Sequence, residues 1–416
     1  MNTKVFFYCL IGLLFISFRI NAEIQPESIF KEFYYKSNIT PPGRAINGID
    51  SISVFIDVDD LVKAVKAEIC IQYWGGHIGT SEQKFKINDS ELYDFPQPPT
   101  PGSPYCYYRN LYGKPAVEIP LNNLEKGQNK LTFYKGEQIC YSFNWAHYVI
   151  NSVTIRIYYS SDKECAKGKV IKIQDKDTAY QHIAFRTEVD HPENVVSVQY
   201  IGYFTDYDWD GDGIFTQWQY RLNKGSWEGI LNTQYSPPYA APWDNFWLPQ
   251  QEDKIMIAAK INSANGCSYI TRPVEYKALK QHNFNVIMYR PDTIPEVFGV
   301  RVGREKECII KVEKLDNSIS AFLVFTSWSG ATEDGANHEV GLNGNMIADN
   351  FGILHEAGIH MLPVPIEYLK EGDNIFHIFS NTEGHALEIN WPGPAILVRY
   401  CDEGDVKCKP GKEAGK

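Results

Sequence analysis

Four carboxylates alternate through Asp206-Tyr-Asp-Trp-Asp-Gly-Asp-Gly213, which sets Asp206, Asp208, Asp210 and Asp212 two residues apart. That spacing, with Gly211 sixth to make a sharp turn, gathers oxygens around a hard cation and fits the first half of an EF-hand-like calcium loop. The twelfth position is Gln217 instead of Glu, and no helical pattern flanks the segment. Two readings stand: a structural calcium site, or an acidic hairpin tip.

Aromatic residues are the second chemical signal, with 9 Trp, 26 Tyr and 22 Phe. Trp and Tyr faces stack on the C–H faces of sugar rings, while polar neighbours bond the hydroxyls. Trp74 and Trp328 each sit where a strand runs into a Gly-containing loop, open equally to core packing or to sugar stacking. A proline-rich stretch from Pro96 to Arg109 cannot enter a central strand. Its Tyr105, Tyr107, Tyr108 and Arg109 are therefore candidates to rim a binding face beside Trp74 and His77. The alternative is a loop folded over the sandwich and tied by Cys106.

Five of the ten histidines fall late in the chain: His338, His355, His360, His377 and His385, near Glu339, Glu356 and Glu388. His338, His355, His360 and His385 are candidates for sugar contacts, with surface or hydrogen-bonding roles as the plain alternative. No His-x-x-x-His zinc spacing on a helix occurs. Nor does a Gly-x-Ser-x-Gly elbow, a P-loop, a dinucleotide fingerprint or HExxH, so no catalytic residue is assigned.

The elements that must hold these side chains read as strands. Ser51 to Asp57, Ala67 to Tyr73, Val153 to Tyr159, Lys254 to Lys260, Ala321 to Phe325 and Ala395 to Tyr400 are short alternating or β-branched runs separated by Gly, Pro, Asn and Asp. This is the pattern of a sandwich or barrel.

The first and last thirds repeat one series of landmarks. Tyr73-Trp74-Gly-Gly and Ser327-Trp328-Ser-Gly are followed, 14 and 15 residues after Trp, by Asn88-Asp and Asn343-Gly. Leu124, Gly127 and Asn129 then match Leu369, Gly372 and Asn374 in spacing, and Trp145 matches Trp391 near the closing strand. The shared order indicates duplication. The Leu-x-x-Gly-x-Asn stretches read as turns in which Gly takes positive φ and Asn bonds back to the backbone.

On these residues, about 45–160 and 295–400 resemble the galactose-binding-domain-like jelly rolls of carbohydrate-binding modules. The likeness is one of fold, and it implies glycan binding by analogy alone. Between the copies, Asn194 to Tyr200, Thr216 to Arg221 and Lys254 to Lys260 look like an immunoglobulin- or fibronectin-like sandwich. The expected architecture is all-β: a signal peptide at 1–22, a jelly-roll domain at 23–162, an immunoglobulin-like β-sandwich at 163–288, a second jelly-roll domain at 289–401 and a polar tail at 402–416. With no Gly/Ser linker, the three modules are expected to form a semi-rigid rod.

Composition narrows the partners. A net charge of -11 argues against nucleic acid, which demands basic stripes. Met1 to Ala22 reads as a secretory signal with a basic start, a short apolar run and a small residue at the cut, and it lacks a lipobox. No membrane span is expected in the mature chain, which is placed as secreted or periplasmic. The remaining eight cysteines allow disulfides without fixing their pairing. The leading expectation is a non-catalytic, exported polysaccharide-binding protein, with calcium as the one candidate cofactor. A polysaccharide hydrolase or lyase is the rival, and an adhesion rod binding another protein is the third reading.

Overall fold

The structure is a computed structural model and describes residues 25–35, 51–77, 80–96, 106–136, 139–140, 147–173, 182–276, 284–329, 337–349, 352, 356–383 and 386–401. It is all-β, built of antiparallel sheets, and the helical segments among the described residues are three-residue 3₁₀ turns. No helix among them is long and apolar enough to cross a membrane.

Alternation places the side chains. In Ser51–Val58, Val54, Ile56 and Val58 are buried while Phe55 and Asp57 face out, the two-residue period of a half-buried strand. Gly372–Ser380 follows the same rule, burying Asn374, Phe376, Ile378 and Ser380.

The two copies share eight strands in one arrangement, to which the last copy adds Leu387–Ile389 and Gly299–Val300. In the first, one sheet runs in the order Ile29–Tyr35, His147–Tyr159, Ala64–His77, Asn110–Ile119, and the other Ser51–Val58, Gly127–Tyr134, Lys84–Ile87, Tyr93–Asp94. In the last, the matching orders are Phe284–Tyr289, Ala395–Cys401, Ser318–Ser329, Glu356–Val364 and Arg304–Val312, Gly372–Ser380, His338–Leu342, Asn345–Asp349. Each pair of sheets encloses one core, around Ile69, Ile155 and Phe133 in the first copy and Leu323, Val398 and Phe376 in the last.

The turn asparagines repeat to the level of single bonds. Asn129 Oδ1 accepts from Glu125 N at 2.9 Å, and its Nδ2 donates to Glu125 O and Gly127 O. Asn374 does the same with Lys370 N at 3.0 Å, Lys370 O and Gly372 O. Asn88 donates to Asn129 Oδ1 at 3.0 Å, as Asn343 does to Asn374 Oδ1 at 2.8 Å. Gly127 and Gly372 take φ of 105° and 87°, which admits glycine readily. Asn343-Gly344 makes a two-residue hairpin, whereas strand pairing after Asn88-Asp89 resumes only at Tyr93.

The middle region is less separate than a rod of three modules implies. Ser268–Ile270 pairs with Ile29–Tyr35 through Ile29↔Tyr269 and Phe30↔Ser268, so one ten-stranded sheet runs from the first copy into the strands Val195–Thr205 and Ile255–Ser263. A single hydrophobic cluster extends through both. At the far end, Phe284–Tyr289 pairs along Ala395–Cys401 from Phe284↔Cys401 to Tyr289↔Ile396. The expected 288/289 boundary thus falls inside a strand of the last copy.

Buried charge reinforces the first junction. Arg156, 1% exposed, bonds Glu32 at 2.8 Å and Glu68 at 2.7 Å. From the middle region, Lys260 pairs with Glu32 at 3.2 Å and Trp227 donates to it at 2.9 Å. Burial works against the Glu32 charge, but Lys260 and Arg156 hold its carboxyl below the usual range.

Candidate functional site

The Asp-rich loop begins where Val195–Thr205 ends and lies where all three regions meet. Tyr207 donates its hydroxyl to Gly393 O of the last copy, and Lys114 of the first copy reaches Asp210 at 3.5 Å. Gly211, at φ 69°, passes so close to the Asn110 carbonyl that a Cβ would stand 2.8 Å from its oxygen.

Within the loop, Asp208, Asp210 and Asp212 are buried and offer oxygens within 4.8 Å of one another. Asp208 accepts from Asp212 N at 3.1 Å and Gly213 N at 2.8 Å, and Asp212 accepts from Ile214 N at 2.8 Å. Burial, then the neighbouring Asp210 and Asp212, push the Asp208 carboxyl well above its ordinary range. This donor set fits a hard cation held by Asp208, Asp210 and Asp212. The protein also brings its own positive group there. Lys114 Nζ lies 2.6 Å from Gln217 Oε1, and Gln217 Nε2 donates to Asp210 Oδ1 at 2.9 Å.

Asp206 does not join the cluster as the alternating spacing suggested. Its Oδ1 accepts from Tyr207 N at 2.8 Å and its Oδ2 from Trp209 Nε1 at 3.0 Å, so both oxygens are engaged within the loop. Burial raises it to about 6, against the opposing hydrogen bonds and Arg221.

Asp206 and Asp210 both line a cavity of about 660 Å³ between the middle region and the last copy. Trp209, Trp243 and Trp247 wall it, with Met361 and Leu397 contributed by the last copy. Trp243 comes from Ala240–Asp244 and stacks on Phe204 at 5.1 Å, and Trp247 meets Phe322 of the last copy edge-on at 4.5 Å. Asp206, Asp210, Asp244, Asn232, Asn245, Gln219 and Arg221 supply the polar lining. Its cation is already engaged, since Arg221 Nε pairs with Glu228 Oε2 at 3.2 Å. The lining is thus aromatic, rich in acceptors and acidic.

The side chains expected to present a sugar platform near the first copy take a different role. Trp74, 5% exposed, stacks on Trp328 with centroids 4.8 Å apart and planes at 16°. Tyr108 stacks on Trp74 at 6.2 Å beside the Glu388 carboxyl, which burial holds well above its usual range. Tyr107 packs edge-on against Trp391 at 5.7 Å, and Arg109 is buried. The described end of this stretch, Cys106 to Arg109, packs inward and is tied by a Cys106–Cys140 disulfide. Trp74, Trp328, Tyr107, Tyr108 and Arg109 therefore form a seam between the copies, not an exposed rim. His77 lies in the Ala64–His77 strand, and Tyr105 is outside the described residues.

The two described candidate histidines, His338 and His360, do not converge either. His338 is buried in the sheet with Gly372–Ser380, whereas His360 belongs to the opposite sheet, stacked on Phe325 and bonded to Ser327 Oγ at 2.7 Å. Burial lowers His360 to about 4, so it is neutral at physiological pH. His355 and His385 lie outside the described residues.

What the spacing of motifs missed is the tryptophan wall. A usable signal was present in Pro242-Trp-Asp-Asn-Phe-Trp247, where two Trp and three polar or aromatic neighbours crowd a short run next to the Asp-rich loop in space.

No family model matches this sequence, and no curated protein matches it. Among solved structures, BuGH86 in complex with neoagarooctaose aligns with a TM-score of 0.26 and 12% identity over 61% of this chain and 36% of its own. BpGH86A, a β-porphyranase of glycoside hydrolase family 86 from the human gut bacterium Bacteroides plebeius, gives 0.24 and 14% over 59% and 38%. PNGase F, a glycosylasparaginase from Flavobacterium meningosepticum, gives 0.21 and 9% over 92% and 97%. The chain spans little more than a third of the first two, and TM-scores this low support no assignment.

Proposed function

We propose that the protein binds a neutral glycan in the cavity walled by Trp209, Trp243 and Trp247. The observation that carries this reading is the pairing of indole walls with hydrogen-bonding groups in one half-open cavity of about 660 Å³, large enough for a short sugar segment. Indole faces receive the apolar C–H faces of the rings, and Asp206, Asn232 and Asp244 bond hydroxyls. Charge selects among glycans. Three carboxylates line the cavity, and Arg221 is engaged by Glu228, so sulfated or uronate sugars would bring negative charge to a site with no spare cation among its described lining. Binding is measured on a panel of matched neutral and anionic oligosaccharides. The reading requires retention of neutral chains and its loss in Trp247→Ala, and a folded protein that retains none of them removes it.

One observation favours a catalytic second reading. Asp206 faces the cavity with its carboxyl raised to about 6, the condition for a general acid in glycoside hydrolysis. New reducing ends released by the wild type and abolished by Asp206→Asn would establish it. Export, glycan binding outside the cell and a structural calcium at Asp208, Asp210 and Asp212 belong to the same proposal.

A further inference from the structure

Cys165 and Cys267 meet at the base of the middle region. Cys165 precedes the strand Gly168–Lys172, and Cys267 lies in the turn joining Ile255–Ser263 to Ser268–Ile270. Both thiols are reduced in this structure. The backbones on either side are fixed in place. Ser263 Oγ lies 3.6 Å from Cys165 Sγ and accepts from Ala166 N at 3.0 Å, while Ser263 N donates to Cys267 O at 2.8 Å. Asn265 completes the frame, accepting from Cys267 N and donating to Glu164 O, each at 3.0 Å.

We infer that Cys165 and Cys267 form a disulfide in the mature protein. Ser263 and Asn265 tie the two cysteine-bearing segments side by side, so the sulfurs need little movement to reach bonding geometry. The Cys106–Cys140 bridge shows that the fold accommodates oxidised cysteine pairs. The oxidant is an oxidised dithiol carrier. Cys165, the more exposed of the two, forms a mixed disulfide with one carrier sulfur, and the Cys267 sulfur then displaces it. The protein gains one S–S bond and loses two hydrogens, and the carrier leaves as a dithiol. The bridge would clamp the start of the middle region to the hairpin whose second strand continues the sheet into Ile29–Tyr35.

The test uses the full chain purified without reductant. It is denatured in an alkylating agent, digested and mapped by mass spectrometry. The expected result is a linked peptide pair containing Cys165 and Cys267, two hydrogens lighter than the separate peptides, with Cys70 and Cys308 alkylated. Alkylated Cys165 and Cys267 in protein whose Cys106–Cys140 bridge is intact would overturn the inference, because that bridge reports that the sample was oxidised. Cys165→Ser and Cys267→Ser give a second readout. Each should lower Tm by about 5–10 °C in the unreduced protein. A fall of equal size with the wild type held reduced would mean that the cysteines act through packing alone, and would also overturn it.

Discussion

At the scale of single residues, Asp206 shows how one carboxyl is separated from three neighbours of the same type. Its bonds to Tyr207 N and Trp209 Nε1 fix its direction, and burial raises it from 3.8 to about 6. Below pH ~4 the group is protonated in both folded and unfolded chains and contributes nothing. As pH climbs from ~4 to ~6 the unfolded chain ionises first, so stability falls by about 2–3 kcal/mol and stays lower above that window. Asp206→Asn keeps one of the two acceptors, a loss that does not vary with pH, and cannot ionise. The difference in unfolding free energy between wild type and variant, measured in urea from pH 4 to 7, should therefore grow in the variant's favour across that window. In the same cavity, Trp247→Ala is expected to weaken glycan binding tenfold or more, about 1.4 kcal/mol, by calorimetric titration. The alternating aspartates were legible because a motif lies in consecutive residues. The tryptophan wall was not, since Trp209, Trp243 and Trp247 acquire a common purpose only when the loop and strand close on the last copy.

At the scale of elements, the sequence was read most fully. Alternation in runs such as Ser51 to Asp57 predicts strands because a half-buried sheet imposes a period of two. The turn asparagines carried the duplication because a buried amide that satisfies several backbone groups has few substitutes. Asn129→Ala and Asn374→Ala should each cost about 2–4 kcal/mol, with nearly equal values because their bonding is the same in the two copies. The double variant should be additive in chemical denaturation, the sites lying in separate cores. Trp74 and Trp328 were ambiguous for a clear reason. A strand end beside a Gly-containing loop specifies neither exposure nor partner, and their partners turned out to be each other.

At the scale of the whole molecule, the joining of the first copy to the middle region had no signal in the chain. Ile29–Tyr35 and Ser268–Ile270 each read as ordinary strands, and nothing local announces that they pair with one another. The shared sheet and the Arg156, Glu32, Glu68 and Lys260 network lead to a cooperative unit. Arg156→Met leaves two buried carboxylates short of a partner and should destabilise by about 3–5 kcal/mol. Fluorescence and far-ultraviolet circular dichroism should then report one coincident unfolding transition for these two regions, and separate transitions would contradict the shared core.

The stacked Trp74 and Trp328 indoles give the seam between the copies an optical signature. Two strongly absorbing rings 4.8 Å apart, one supplied by each copy, couple their transitions and split the absorption into a paired positive and negative band in circular dichroism. That couplet would vanish in Trp328→Phe and would fade as soon as the copies part. The molecule therefore carries its own gauge of whether its two halves are together.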